Sequence, residues 1–296
     1  MCSAVVYFVS VQHIEFFHND HFEKNYHRHS PQGRLSLFID FFWQTDFDHL
    51  WKKHPQGFSD VLFPNIGYTY LVNLGTPFIM QVQQNKTEIK GDGFLPRLNH
   101  IECYHQTGNC LFGIKFKVSP VIFEKKVNIS EYSGTVFPLS YLMEQSVINR
   151  IKTAASFEKR VSLLSDHYEQ ILEQHTDSLQ PIKIVTSILA DCLQQNKFDL
   201  SVEELADKHH ISTRTLQRYF ETATGISSKK ALQLLRIRKA VGHIVNAPET
   251  FHYGIYGYYD FSHFYKHLKL FLQKDTLLHL QPHLQLLKTL HKKEGR

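Results

Sequence analysis

Cysteine, glycine and proline are all scarce in this chain: four, 14 and 10 among 296 residues. Cys2, Cys103, Cys110 and Cys192 are too few and too scattered for a disulfide framework, which points to a reducing cytoplasm. Few glycines and prolines, with neither repeats nor low-complexity tracts, argue against long disordered or fibrous segments. The N-terminal MCSAVVYFVSVQHIEFF has no basic leader, and Gln12, His13 and Glu15 break its apolar run, so it fits neither a signal peptide nor a membrane span. Catalytic signatures are missing too: there is no HExxH, no GxSxG, no glycine-rich phosphate loop and no EF-hand spacing. The expectation is a non-enzyme with no catalytic residues, no cofactor and no membrane partner.

What is present is enough apolar material, 42% of residues, for two ordinary domains with a sizeable core. Charge is unevenly spread. Residues 1–180 hold 16 Lys+Arg against 18 Asp+Glu, and residues 181–296 hold 17 against 10. The formal excess of +5 therefore lies in the C-terminal part, the pattern of a polyanion-binding half joined to a half with another task. From about Leu35 to Phe123, β-branched and aromatic runs are punctuated by Pro64, Gly67, Gly75 and Pro77, and CLFGIKFKV alternates, so this half reads as β-rich. After Ser130 the period becomes helical, with Ile151, Phe157, Val161, Leu164, Tyr168, Ile171 and Leu172 on one face. Pro181 marks the expected boundary between a 1–180 domain and an all-helical 181–296 domain.

Within the helical part, Ser201 stands three residues before Glu204, a capping-box spacing that starts a short helix. His209, His210 and Ile211 make a tight turn, Ser212 is an N-cap, and a second helix runs from Thr213 to about Ala223, stopped near Gly225. Two short helices joined so briefly form a helix-turn-helix. At 100° per residue Leu216 and Phe220 fall together, with Arg214, Gln217, Arg218 and Glu221 opposite. Arginine can fork onto guanine and glutamine can pair with adenine, so this face suits major-groove readout. Displaced by 48 residues the pattern recurs in GYYDFSHFYKHLK: Ser212 lies over Asp260, Leu216 over Phe264, Gln217 over Tyr265, Arg218 over Lys266 and Phe220 over Leu268. Between the two lies SSKKALQLLRIRKAVGHIVN, a helix about 28 Å long. Its Lys229, Lys230, Arg236, Arg238 and Lys239 are candidate phosphate contacts, joined by Thr213 and Lys269 on the reading helices.

ISTRTLQRYF, TGISSKKALQLLRIRKA and GYYDFSHFYKHLK together resemble the paired helix-turn-helix domain of AraC/XylS-type transcription regulators, over about Leu200 to Phe271. The resemblance implies an α+β chain: a β-rich sensor domain, then an all-α domain with two helix-turn-helix units, about 200–225 and 248–272, joined by a linker helix. It implies sequence-specific binding of double-stranded DNA, with Arg214, Gln217 and Arg218 as base contacts in the first half and Phe261, Ser262, Tyr265 and Lys266 in the second. A small-molecule effector at the N-terminal domain, contact with RNA polymerase and a homodimer are the further partners it brings. FPNIGYTYLVNLG and NCLFGIKFKVSPVIFEKKVNISEYSGTVFPL follow the turn and strand order of that sensor domain. Two departures stand out: Tyr253 replaces a small residue beside helix-weakening Gly254, and the glycine turn after the second reader is absent.

Two rival readings have features of their own. A metal-dependent enzyme would use His100, Cys103, His105 and Cys110 in HIECYHQTGNC, residue types that suit zinc in a spacing that matches no finger or ribbon. His18, His21, His27 and His29 form an earlier cluster of the same kind. A protein-binding module would keep the helix-turn-helix shape without reading DNA. Phe41, Phe42, Trp43, Tyr68 and Tyr70 suit either a core or a ligand pocket, and Leu277, Leu278, Leu284, Leu287 and Leu290 either cap the helical domain or dimerise.

Overall fold

The structure, a computed structural model, describes residues 11–119, 136–175 and 179–294. Its first half is built on two sheets. One has the order β1 (Val11–Ile14), β4 (Phe58–Leu62), β9 (Ile101–Tyr104), β6 (Phe78–Val82), β7 (Asn85–Ile89). The other runs β11 (Phe137–Pro138), β8 (Gly93–Pro96), β5 (Tyr68–Asn73), β10 (Cys110–Phe116), β3 (Ile39–Asp46), β2 (His27–His29). All pairings are antiparallel except β1 with β4. Short helices α1 (Asn19–Lys24) and α2 (Asp48–Lys53) bridge strands. The period of two sorts the side chains. Leu71, Leu95 and Leu111 face Phe58, Phe78, Met80 and Ile101 of the other sheet, while Tyr70, Val72, Phe112, Ile114 and Phe116 turn towards the helices. Gly67 holds a positive φ of 89°, and a Cβ there would lie 2.0 Å from the Phe116 carbonyl oxygen, so only glycine makes this turn. The expected strand region reached Phe123; β10 ends at Phe116, and residues 120–135 lie outside the described residues.

Helices α3 (Gln145–Thr153) and α4 (Phe157–Gln174) cover the second sheet, α4 capped by Ser156. Val161, Leu164, Tyr168 and Leu172 are its buried face, and Tyr168 packs edge-on against Phe38 and Phe116 at 5.6 and 5.7 Å. The helical half follows as α5 (Gln180–Gln195), α6 (Val202–Lys208), α7 (Thr213–Thr224), α8 (Ser228–Asn246) and α9 (Phe261–Glu294), with Pro181 in the first turn of α5. The α6–turn–α7 unit and the 19-residue α8 match the expected spans closely.

The second unit is built differently from the first. Its leading element is not an α-helix but a 3₁₀ turn, Tyr253–Tyr256, after another at Pro248–Thr250. Gly254 and the bulky Tyr253 explain this, since the segment gains too little from helix formation to extend further. After the first turns of α9 the chain still breaks, at Gln273 (φ 61°, ψ 174°), so a non-glycine residue makes the turn for which no glycine is present.

One apolar core runs through both halves. Phe63 of the β half lies 5.2 Å from Phe271 of α9 and 5.9 Å from Phe16. Among the described residues no helix is long and apolar enough to cross a membrane.

Candidate nucleic-acid interface and interdomain cavity

The helix-turn-helix α6–α7 is set by its caps. Ser201 Oγ accepts from Glu204 N at 3.1 Å and Glu204 Oε2 from Ser201 N at 2.7 Å, completing the box on α6. His210 turns the chain at a φ of 54°, Ser212 Oγ accepts from Thr215 N at 3.1 Å, and Gly225 ends α7 at a φ of 74°. Leu216 and Phe220 are fully buried; Thr213, Arg214 and Arg218 are exposed. Gln217 is half-buried and held at both ends: its Nε2 donates to Glu221 Oε1 at 2.8 Å, and its Oε1 accepts from Ser228 Oγ at 3.3 Å. A base contact from Gln217 therefore needs these bonds exchanged.

The helix α9, the second candidate reader, is capped by Asp260, whose Oδ1 accepts from His263 N at 2.7 Å. Phe264 and Leu268 are fully buried, Ser262, Lys266 and Lys269 exposed, Phe261 and Tyr265 half-buried. Tyr259, just before the cap and absent from the expected contacts, is 93% exposed.

The linker helix corrects three expected phosphate contacts. Lys229 and Lys230 are exposed at its start, but Arg236, Arg238 and Lys239 point into protein. Arg236 is 7% exposed, its guanidinium 4.0 Å over the Tyr258 ring and donating to Gly257 O at 3.4 Å. Arg238 donates to Pro64 O at 2.8 Å and Phe63 O at 3.2 Å and pairs with Glu15 Oε1 at 2.5 Å. Lys239 Nζ donates to Leu193 O. The cause is visible in the sequence: Ala231, Leu232, Leu235, Ile237, Ala240, Val241 and Ile244 wrap more than one face, so α8 is packed on several sides and its cations meet protein groups.

Arg238 also reaches a cavity of about 330 Å³ between the two sheets. Its walls are Leu71, Phe78, Met80, Leu95 and Leu111, with Phe41 and Trp43 at one side; Phe42, Tyr68 and Tyr70 belong to the core instead. Glu15, Asp60, Arg97, His105 and Lys115 supply the polar groups. His105 Nδ1 meets Asn109 Oδ1 at 2.6 Å and its Nε2 meets Asp60 Oδ2 at 3.1 Å. Asn109 uses its amide nitrogen on Thr76 O, so its Oδ1 is the atom that faces the His105 ring. The His105 ring stacks on Phe47 with centroids 3.6 Å apart. His21 Nε2 lies 3.0 Å from Asp60 Oδ1. Burial alone would raise the Asp60 carboxyl, but the His105 hydrogen bond and the close His21 ring hold it well below the usual carboxylate range. Burial likewise acts against charge on Glu15, and Arg238 and Arg97 reverse it, leaving that carboxyl low as well. Lys115, donating to Ile66 O and Phe116 O, is pushed down to about 7 by burial and then by Arg97. The Arg97 Nε is buried and makes no hydrogen bond.

On the other side of Asp60 a cleft of about 530 Å³ is lined by His13, His18, His21 and His49, and by Val245 and Asn246 of α8. Burial, and then His21, push His13 down to about 4. Among the described residues no group of three His, Cys, Asp or Glu is placed to hold a metal ion. Of HIECYHQTGNC, His105 serves the Asp60 pair, Cys103 is buried and His100 lies edge-on to Phe63. Of the earlier histidines, His27 and His29 are exposed on β2.

In order of elements, a β-rich half is followed by two capped helices, α7 and the start of α9, on either side of the linker helix α8. No family model matches the chain, and no curated protein does. Among solved structures it is similar to Vibrio cholerae ToxT with an unsaturated fatty acid bound, at 10% identity and a TM-score of 0.39 over 75% of this chain and 93% of that one. ToxT from Vibrio cholerae O395 gives 10% and 0.39 over 75% and 92%. The AraC-like transcriptional activator CuxR gives 12% and 0.29 over 68% and 82%.

Proposed function

We propose that the chain is a sequence-specific DNA-binding transcription regulator whose DNA-binding half is controlled by a small molecule in the cavity between its sheets. The observation that carries the reading is the pair of capped helices on one linker, each burying the same positions 48 residues apart and exposing the same polar ones. Arg214 and Arg218, with Gln217 once released from Glu221, read bases in one half-site, and α9 reads the other. Thr213, Lys229, Lys230 and Lys269 hold phosphates.

Selection from a random duplex library tests this directly. The expected result is a two-part consensus, with affinity falling steeply with salt. Arg214→Ala loses about 1 to 3 kcal/mol on the consensus and little on random DNA, whereas Lys230→Ala weakens both alike. A library without enrichment, or salt-insensitive retention on heparin, overturns the reading in favour of a protein-binding module.

Control follows from Arg238, which belongs to α8 yet lines the cavity. A ligand with an anionic group for Arg97 and Lys115 and an apolar body for the leucine and phenylalanine walls suits the site. Such a ligand shifts DNA binding only if it favours one arrangement of the halves. Because Lys115 gains its proton as pH falls through about 7, a carboxylate ligand binds more tightly at pH 6 than at pH 8. Calorimetry across that range, with Arg97→Met as the control that weakens binding, checks it.

A further inference from the structure

The two reading helices present different chemistry. Under the 48-residue offset, Thr213 corresponds to Phe261, Arg214 to Ser262 and Gln217 to Tyr265. The first helix offers guanidinium and amide groups. The second offers an aromatic ladder: Tyr253 edge-on to Phe261 at 6.2 Å, Phe261 stacked on Tyr265 at 5.8 Å and 16°, and Lys269 Nζ 4.9 Å over the Tyr265 ring. Phe261 and Tyr265 are half-buried, one side of each packed against the core and the other left beside exposed Ser262, Lys266 and Lys269. Tyr259, 93% exposed, stands just before the cap of the same helix, near the end at which reading helices meet base edges. Both Phe261 and Tyr265 keep part of their surface uncovered, and the exposed Lys266 and Lys269 flank them with positive charge suited to a polyanion.

Aromatic rings cannot fork onto guanine or pair with adenine. What they can recognise in the major groove is the C5-methyl of thymine, the apolar group on base edges there. We infer that Phe261 and Tyr265, with Tyr259 at the rim, make the second helix a reader of thymine methyl groups, so that the operator has one half-site read by hydrogen bonds and one read by apolar contact. The inference rests on the DNA-binding reading and sharpens it. Lys266 and Lys269 supply affinity for phosphates there, and the rings supply selectivity.

Replacing thymine by deoxyuridine removes the methyl and leaves every hydrogen-bonding group in place. With the duplex enriched from the random library, each thymine is replaced singly and affinity is read by competition anisotropy. The half-site of α9 is the one whose base preference Arg214→Ala leaves unchanged. One or two replacements there are expected to weaken binding about four-fold each, the loss of one buried methyl, and replacements in the other half-site to have no effect. In Tyr265→Ser, and independently in Tyr259→Ser, whose exposed ring can be removed without touching the core, the deoxyuridine penalty shrinks while a guanine to 7-deazaguanine penalty in the first half-site persists. A thymine-free α9 half-site, a wild-type protein indifferent to deoxyuridine there, or a penalty that survives both substitutions overturns the inference and leaves DNA binding intact. A library that yields no enriched duplex overturns both.

Discussion

Arg238 and Glu15, 223 positions apart, join the linker helix to the β half, and removing either tests how the halves are held together. The pair is 2.5 Å long, with side chains 13% and 21% exposed. Arg238 also donates to the Phe63 and Pro64 carbonyls and lies 5.0 Å over the Phe16 ring; Glu15 Oε2 accepts from Phe63 N at 2.8 Å. Breaking a buried pair from one side costs about 3 to 5 kcal/mol. Partial exposure and the remaining field of Arg97 lower this to about 2 to 3 kcal/mol for Arg238→Met. Glu15→Gln leaves Arg238 and Arg97 facing each other without a carboxylate and falls in the same range. Because the two act through one contact, the double variant should lose about 2 kcal/mol less than the sum of the single losses. Urea unfolding followed by circular dichroism gives the cycle. A coupling under about 0.5 kcal/mol refutes the latch.

A second readout separates this role from the phosphate contact expected at Arg238 from sequence. A phosphate contact contributes about one unit to the slope of log affinity against log salt. Arg238→Met should leave that slope unchanged while shifting affinity through the arrangement of the halves; a slope lower by one unit restores the phosphate assignment. The latch also has a pH sign. The Glu15 carboxyl is lowered in the fold, so its contribution is present above the unfolded value of 4.5 and is lost as pH falls through the lower folded one.

Two other perturbations have definite signs. Gln273→Gly should stabilise the helical half by about 1 kcal/mol, because a φ of 61° with ψ of 174° is costly for any residue with a Cβ; a lowered melting temperature contradicts the turn assigned there. His13, 8% exposed, stays neutral in the fold because its value is lowered from 6.5 to about 4. Its contribution to stability is therefore complete above pH 6.5 and is lost as pH falls from 6.5 towards 4, by about 2 to 3 kcal/mol; His13→Phe should flatten the stability profile in that window, and an unchanged slope rules the assignment out.

The first helix-turn-helix was legible residue by residue because each signal is local: Ser201 with Glu204, Ser212, and Gly225 all act within one turn of where they stand. The direction of the linker's charges was not. A period of 3.6 assigns Arg236, Arg238 and Lys239 to faces, but whether a face meets solvent depends on Tyr258, Glu15 and Leu193, which are distant in sequence. The wrap of small and apolar residues around α8 was the available signal, and it weighs against an exposed basic face more strongly than the basic residues weigh for one. The second unit shows the converse limit. Gly254 marks a weak helix locally, but the turn at Gln273 defies its residue type, and only the packing of Phe271 and Leu277 on the core explains where the chain must bend.

The same distance in sequence hid the cavity. Glu15, Asp60, Arg97, Lys115 and Arg238 come from five separated stretches, and only the sheet topology brings their charges together. Their pairing divides the groups into those committed and those available. Asp60 is committed to His21 and His105, and Glu15 to Arg238. Arg97 and Lys115 have no carboxylate of their own within ion-pair distance among the described residues, and burial works against charge on both. An anion entering the cavity offsets that cost, so it stabilises the folded chain in proportion to its occupancy. It also competes with Glu15 for the attention of Arg238. An anion that draws Arg238 inward weakens the latch, whereas one held by Arg97 and Lys115 alone leaves Arg238 on Glu15 and strengthens the fold without moving α8. Under the proposed regulation, the sign of control would therefore turn on whether the anionic group stops at Lys115 and Arg97 or also reaches the Arg238 guanidinium of the linker helix.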